Sequence, residues 1–408
     1  MNCLLPASLI SLPNEVVDEI LLLLVKPTLL SVRLVNRRLG THATRLLFRS
    51  VRLGARQRIG QDSGLFCFAA RSEDAALTRD PSHLGPLRDL VREVTLDTWL
   101  GSSFEYFTCD DWEPNLPVHP GDFMNALPNL RRFSNLSAVH LRFNEVCGDD
   151  RGSGYVEEGL DFRYRVLDTT FRCLAGTWNV SDQQDIDREI NLKYSTDYAM
   201  SQVVPEPPST GPLPIKTLTV SNLADIPDER LTSSKAFQTV LSLPSLVDLK
   251  LYFTIRGDNY WCNHGWGDHE WVRDYPIWVS EKYKFFDSLP QTWLRPSIAT
   301  NLRTLSLYSA SPWGWNPKME FRFVNPTENG FPNLKVLALG NYVFSHAWQI
   351  DWFASQGSKT VAGGLEELYL DKCRVMFHAT HLTPLDQSTA IVGKDPEEKD
   401  IKVSNTGY

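Results

Sequence analysis

An apolar-x-x-apolar-x-apolar spacing recurs along this chain and limits the folds open to it. It occurs at Val91-Val94-Leu96, Leu136-Val139-Leu141, Ile215-Leu218-Val220, Leu246-Leu249-Leu251, Leu302-Leu305-Leu307, Leu334-Leu337-Leu339 and Leu365-Leu368-Leu370. Successive starts differ by 45, 79, 31, 56, 32 and 31 residues, so three intervals agree and the others look like insertions or a missed copy. Several copies share a lead-in, a helical run closed by proline, as in Leu127-Pro128-Asn129-Leu130, Leu243-Pro244-Ser245-Leu246 and Phe331-Pro332-Asn333-Leu334. A short strand then begins. A unit of one strand and one helix cannot bury its own apolar face, so such units must stack on one another.

The expected fold class is therefore α+β or α/β repeat. Residues 54–383 should form an irregular leucine-rich-repeat-like solenoid of parallel strands plus helices. Insertions interrupt it. Gly148–Gly159 is rich in Gly and Asp and reads as a loop. Val203–Pro214 is proline-rich and reads as a stiff linker or surface loop. Tyr260–Trp278 carries Trp261, Trp266, Trp271 and Trp278, with Trp313 and Trp315 further on. Residues 384–408 lose aromatics and gain charge, so a disordered tail is expected there.

Charge narrows the function classes. The net charge of −8 argues against a nucleic-acid-binding protein, which normally carries a basic footprint. Nine basic residues against three acidic ones give residues 1–60 a charge of +6, and the remainder, 32 against 46, has −14. A basic head on an acidic body fits an acidic partner for the head or, equally, a solvated helical face. Seven scattered cysteines without a C-x-x-C pair fit a reducing compartment, cytoplasmic or nuclear. The apolar run Ile20–Val25 is far shorter than the roughly twenty residues a membrane helix needs.

The basic head has its own pattern. Leu12-Pro13-Asn14-Glu15 opens a helix, with Asn14 as the expected N-cap and Val16, Ile20, Leu23 and Leu24 at helical spacing. Pro27 and Thr28 break it. A second helix is expected from Leu29 to about Leu39, with Gly40 as its stop, and a third through Ala43, Leu46, Leu47 and Phe48. A strand-like Val51-Arg52-Leu53 follows. Three short helices cannot bury this much apolar surface by themselves.

Residues Leu12-Pro13-Asn14-Glu15-Val16-Val17, Ile20, Leu24, Leu29-Leu30-Ser31-Val32-Arg33-Leu34-Val35, Arg37-Arg38-Leu39 and Leu46-Leu47-Phe48-Arg49-Ser50-Val51 resemble the F-box family, fungal members especially. The later repeats are similar to the degenerate leucine-rich repeats of fungal F-box proteins. Two positions depart from the pattern, Asn36 where Cys is common and Leu39 where an aromatic residue is common. The resemblance implies that residues 1–53 are a three-helix F-box. It further implies docking on a Skp-type adaptor of a cullin–RING ubiquitin ligase, with the repeats holding an unknown protein substrate for ubiquitination. The expected adaptor-binding residues are Leu12, Pro13, Ile20, Leu24, Leu30, Leu34, Val35 and Leu39. A non-ligase interaction scaffold is the alternative.

Catalysis is not expected, since no P-loop, nucleophile elbow, HExxH or dinucleotide fingerprint occurs. Cys262, His264 and His269, and Cys373, His378 and His381, offer at most three metal ligands each, without paired spacing. No metal or other cofactor is expected, nor a nucleic acid or a membrane as partner. Trp261, Trp266, Trp271, Trp278, Trp313 and Trp315 are the expected substrate contacts, because Trp is over-represented at binding hot spots. A loop folding back to cap the core is the competing reading.

Overall fold

The computed structural model describes residues 12–54, 61–70, 87–98, 121–145, 147–148, 158–194, 211–254, 275–357 and 364–376. The chain is an α/β protein built on an open, parallel sheet. Its strands are β1 (Ser50–Gly54), β2 (Glu93–Asp97), β3 (Ala138–Arg142), β6 (Thr217–Ala224), β7 (Asp248–Thr254), β8 (Thr304–Trp313), β9 (Val336–Phe344) and β10 (Glu367–Asp371), paired in chain order. Short β4 (Cys147–Gly148) and β5 (Glu158–Gly159) pair with each other, and β11 (Arg374–Val375) pairs with β9.

The recurrent spacing sets the register. Val51, Val94, Val139, Leu218, Leu249, Leu305, Leu337 and Leu368 stand side by side across the sheet. So do Leu53, Leu96, Leu141, Val220, Leu251, Leu307, Leu339 and Leu370. All seven expected copies form strands. Phe48-Val51-Leu53 is an eighth, and it opens the sheet. Side chains alternate across a strand, so these rows share one face, and from β1 to β9 that face is buried. Leu368 and Leu370 on β10, the last strand in the order, are about half exposed.

Helices α1 (Asn14–Leu22), α2 (Lys26–Val32) and α3 (Arg37–Arg49) precede β1. Then come α4 (Gln61–Ala70), α5 (Gly121–Ala126), α6 (Leu160–Ala175), α7 (Val180–Tyr194), α8 (Glu229–Thr232), α9 (Lys235–Val240), α10 (Tyr275–Ser288), α11 (Pro296–Ala299) and α12 (Ala347–Ala354). One hydrophobic core runs from Val17 on α1 to Phe353 on α12. In its middle Trp293 meets Phe171 and Phe237 edge-on, and those two rings are tilted against each other. Further along, Trp313 stacks on Phe286, and Tyr342 meets both Trp313 and Phe321 edge-on. Each such ring, fully buried, stabilises the fold by about 1.5–3 kcal/mol.

The head differs from the expected helix boundaries. Pro27 does not separate helices but sits in the first turn of α2, where its missing N–H costs nothing. Asn14 does not cap α1; its Oδ1 accepts from Arg38 Nε at 3.1 Å and Nη2 at 2.7 Å, joining α1 to α3. The cap that works is Asn36, whose Oδ1 accepts from the backbone of Leu39 at 2.8 Å and starts α3. Gly40 lies inside α3 and stops nothing. A Cβ there would sit 2.8 Å from the Arg33 carbonyl oxygen, so glycine lets the end of α2 approach α3. His42 Nδ1 lies 2.6 Å from Asp18 Oδ1 and adds a second tie between α1 and α3.

The insertions also differ. Residues 149–157 and 203–210 lie outside the described residues, but both insertions are pinned at their ends. β4 pairs with β5, and the buried Leu213 donates its N–H to the Leu174 carbonyl at 2.8 Å. The end of the Tyr260–Trp278 segment enters helix α10 rather than a loop. The tail 384–408 lies outside the described residues. No helix among the described residues is long and apolar enough to cross a membrane.

Candidate functional site: an apolar helical face and an open-face groove

The head presents the first candidate. Helices turn one stripe inward, and in α1 to α3 that stripe is Val17, Leu21, Leu29, Leu39, Ala43 and Leu47, all buried. The rest of the apolar set faces solvent. Leu23 is 84% and Leu34 88% exposed, and Val16, Leu22, Val25, Leu30 and Val35 are exposed as well. Leu23 and Val25 sit in the turn between α1 and α2, and Leu34 and Val35 in the turn between α2 and α3. Arg37, Arg45 and Arg49 on α3 are also exposed.

Of the residues expected to bind an adaptor, Pro13, Leu30, Leu34 and Val35 are exposed and Ile20 is half-buried. Leu12 and Leu24 are half-buried and pack against the core. Leu39 is a correction: it is 5% exposed, because its position in α3 stacks it with Ala43 and Leu47 on the inward stripe. Val16, Leu22, Leu23 and Val25 were not among the expected residues. They follow the same apolar run, and only the packing decides which members turn outward.

The second candidate lies on the sheet face opposite the core. A groove of about 490 Å³ is lined by Arg142, Glu145, Thr219, Ser221, Asn222, Lys250, Leu251, Tyr252, Ser306 and Tyr308. The strands supply most of them at alternate positions: Arg142 from β3, Thr219 and Ser221 from β6, Lys250 and Tyr252 from β7, Ser306 and Tyr308 from β8. Tyr252 and Tyr308 stack with ring centroids 5.0 Å apart and planes 26° from parallel. Their partner position on β9 is Gly340, where any Cβ would collide with the Tyr308 ring.

A bulge in β6 opens the groove beside Tyr252. The pairing with β7 slips between Val220 and Leu223, and Asn222 there takes a φ of 61°, a left-handed conformation asparagine tolerates better than most residues. Asn222 Nδ2 donates to the Phe143 carbonyl at 2.8 Å. Behind the bulge, the buried Arg163 of α6 donates to the Asn222 carbonyl and to the Asn144 carbonyl, each at 2.6 Å. Glu158 Oε2 lies 2.9 Å from Arg163 Nε. Burial raises the Glu158 carboxyl above its ordinary range, against the pull of Arg163. The same asparagine device recurs at Asn341, with φ 57° and Nδ2 donating to the Ser309 carbonyl at 2.8 Å.

Charges along this face are largely paired. Lys250 Nζ lies 3.3 Å from Asp248, and Arg52 pairs with the buried Asp97. His140 Nε2 is 3.2 Å from Glu93 and Nδ1 is 2.9 Å from the Thr219 hydroxyl. A neutral ring that donates to the carboxylate through Nε2 accepts from Thr219 through Nδ1. Burial is the largest influence on His140 and holds its pKa below the ordinary value, with Glu93 opposing. The Tyr252 hydroxyl is pushed up, first by burial and then by Tyr308 and Glu145.

The tryptophans expected to meet a substrate divide. Trp261, Trp266 and Trp271 lie outside the described residues, and Trp278 lies in α10. Trp313 is a correction: it is 0% exposed and its Nε1 donates to the Gly340 carbonyl at 2.8 Å, so it is core. Trp315 is half-buried. The groove tyrosines were missed, although Leu249-Lys250-Leu251-Tyr252 and Leu305-Ser306-Leu307-Tyr308 show the same tyrosine after two copies of the spacing. No group of three or more metal-ligating side chains converges among the described residues. Cys262, His264, His269, His378 and His381 lie outside them, and Cys373 Sγ donates to the Leu339 carbonyl at 3.3 Å.

Scanned against models of known protein families, the chain matches none, and no curated protein matches it.

Proposed function

We propose that the chain is an F-box protein with degenerate leucine-rich repeats. It docks on the Skp-type adaptor of a cullin–RING ligase through its first three helices and presents a protein substrate on the sheet. It is a recognition subunit, without catalysis of its own. The observation that carries this reading is the outward apolar set Val16, Leu22, Leu23, Val25, Leu30, Leu34 and Val35. The same helices already bury a full inward stripe, so this surface is surplus to folding. Apolar surface left exposed beyond what folding needs points to a protein interface. The exposed arginines of α3 suit an acidic adaptor. Asn36, at first a departure from the F-box pattern, caps α3 and leaves the outward set as it is.

Co-precipitation of the full chain with recombinant Skp-type adaptor and cullin tests the reading. Recovery of both supports a ligase subunit. Recovery of the adaptor alone supports the scaffold, and recovery of neither removes the docking claim.

A further inference from the structure

We propose that the open-face groove is a slot for one aromatic side chain of a protein partner, the ring lying between the Arg142 guanidinium and the Tyr252 ring. This names the kind of substrate taken by the recognition subunit proposed above, and rests on that reading for its biological setting.

The dimensions favour an inserted ring. Tyr252 turns one face to Tyr308 on β8, so its other face looks toward β6, where the bulge sets the small Ser221 and Asn222. One strand further, Arg142 stands in the register of Ser221. Two strand spacings separate β3 from β7, about 9.6 Å in all, which leaves roughly 4.8 Å on each side of a ring midway. That distance lies within stacking range of an aromatic ring on one side and a guanidinium on the other.

The slot is also held ready. Tyr308 is seated over Gly340 and backs Tyr252, while Arg163 braces the bulge from behind, so little ordering remains for binding to cost. The Ser221 hydroxyl lies on the floor beneath the ring and can bond the partner's main chain, and Thr219, which donates to His140, can still accept. Net charge does not select an anion here. Glu145 faces the same groove as Arg142, and Asp248 already answers Lys250.

The probes are Ac-Gly-Trp-Gly-amide and its leucine and phosphoserine analogues, added to the full chain and read by saturation-transfer NMR. The tryptophan peptide should bind, with the strongest transfer to its indole protons. Arg142→Ala, an exposed position, and Tyr252→Leu should each weaken it roughly three- to tenfold, the range expected for one stacking partner. Ser221→Trp should fill the slot and abolish binding while leaving adaptor capture intact. Equal transfer to the leucine peptide, preference for the phosphoserine peptide, or unchanged binding in Arg142→Ala would overturn the proposal. Leu34→Glu separates the two readings, since it removes the docking face and should leave the tryptophan peptide bound. If the adaptor is captured and the tryptophan peptide is not bound, the slot alone falls.

Discussion

Leucines five positions apart in the head have opposite fates, and this gives the simplest residue-scale expectation. Leu39 is buried with Ala43 and Leu47, whereas Leu34 stands in solvent. Leu39→Ala should cost about 2–5 kcal/mol of stability, the range for emptying a packed leucine site. Leu34→Ala should stay within about 0.5 kcal/mol, as surface substitutions do. Urea unfolding of both variants checks this, and a large loss in Leu34→Ala would mean that its side chain is used internally. His140 supplies a second expectation. Its pKa is lowered in the folded chain, chiefly by burial, so the unfolded state binds more protons just below the ordinary pKa of about 6.5. Stability should therefore fall as pH drops below that value toward the folded pKa. His140→Gln should flatten this part of the curve, as measured by denaturant unfolding between about pH 7.5 and 5.

At the scale of elements, the strands were legible and the helices less so. The spacing that recurs in the sequence is the one that lines up across the sheet, because period-two alternation records which face is buried. The copy at Phe48-Val51-Leu53 escaped notice because helix and strand share those residues, with Phe48 ending one stripe and opening the other. Pro27 and Gly40 misled because each is usually a break, and their actual places depend on a first turn and on a close helix approach that only the packing defines. The groove was illegible for a similar reason. Tyr252 and Tyr308 lie 56 residues apart in sequence, and it takes the parallel register to bring their rings together. The asparagine turns hold that register where strands bend away. Asn341→Ala should cost about 1–3 kcal/mol, from left-handed strain and a lost buried hydrogen bond. Asn341→Gly should recover the part due to strain, which thermal unfolding of the two variants can compare.

At the scale of the molecule, the head and the sheet are not separate modules. The core is continuous from Val17 to Phe353, and β1, at residues 50–54, is the first strand of the sheet. Deleting residues 1–53 would strip that strand and uncover β2, so a truncation would confuse docking with folding. Point variants on the outward face avoid this. The decisive measurement is a calorimetric titration of purified Skp-type adaptor into the full chain and into the double variant Leu23→Asp, Leu34→Asp, with circular dichroism showing both folded. Binding to the native chain and a loss of at least about 2 kcal/mol, some thirtyfold or more, in the variant is the predicted result. Equal affinity for the two chains, or no binding to either, would contradict the account.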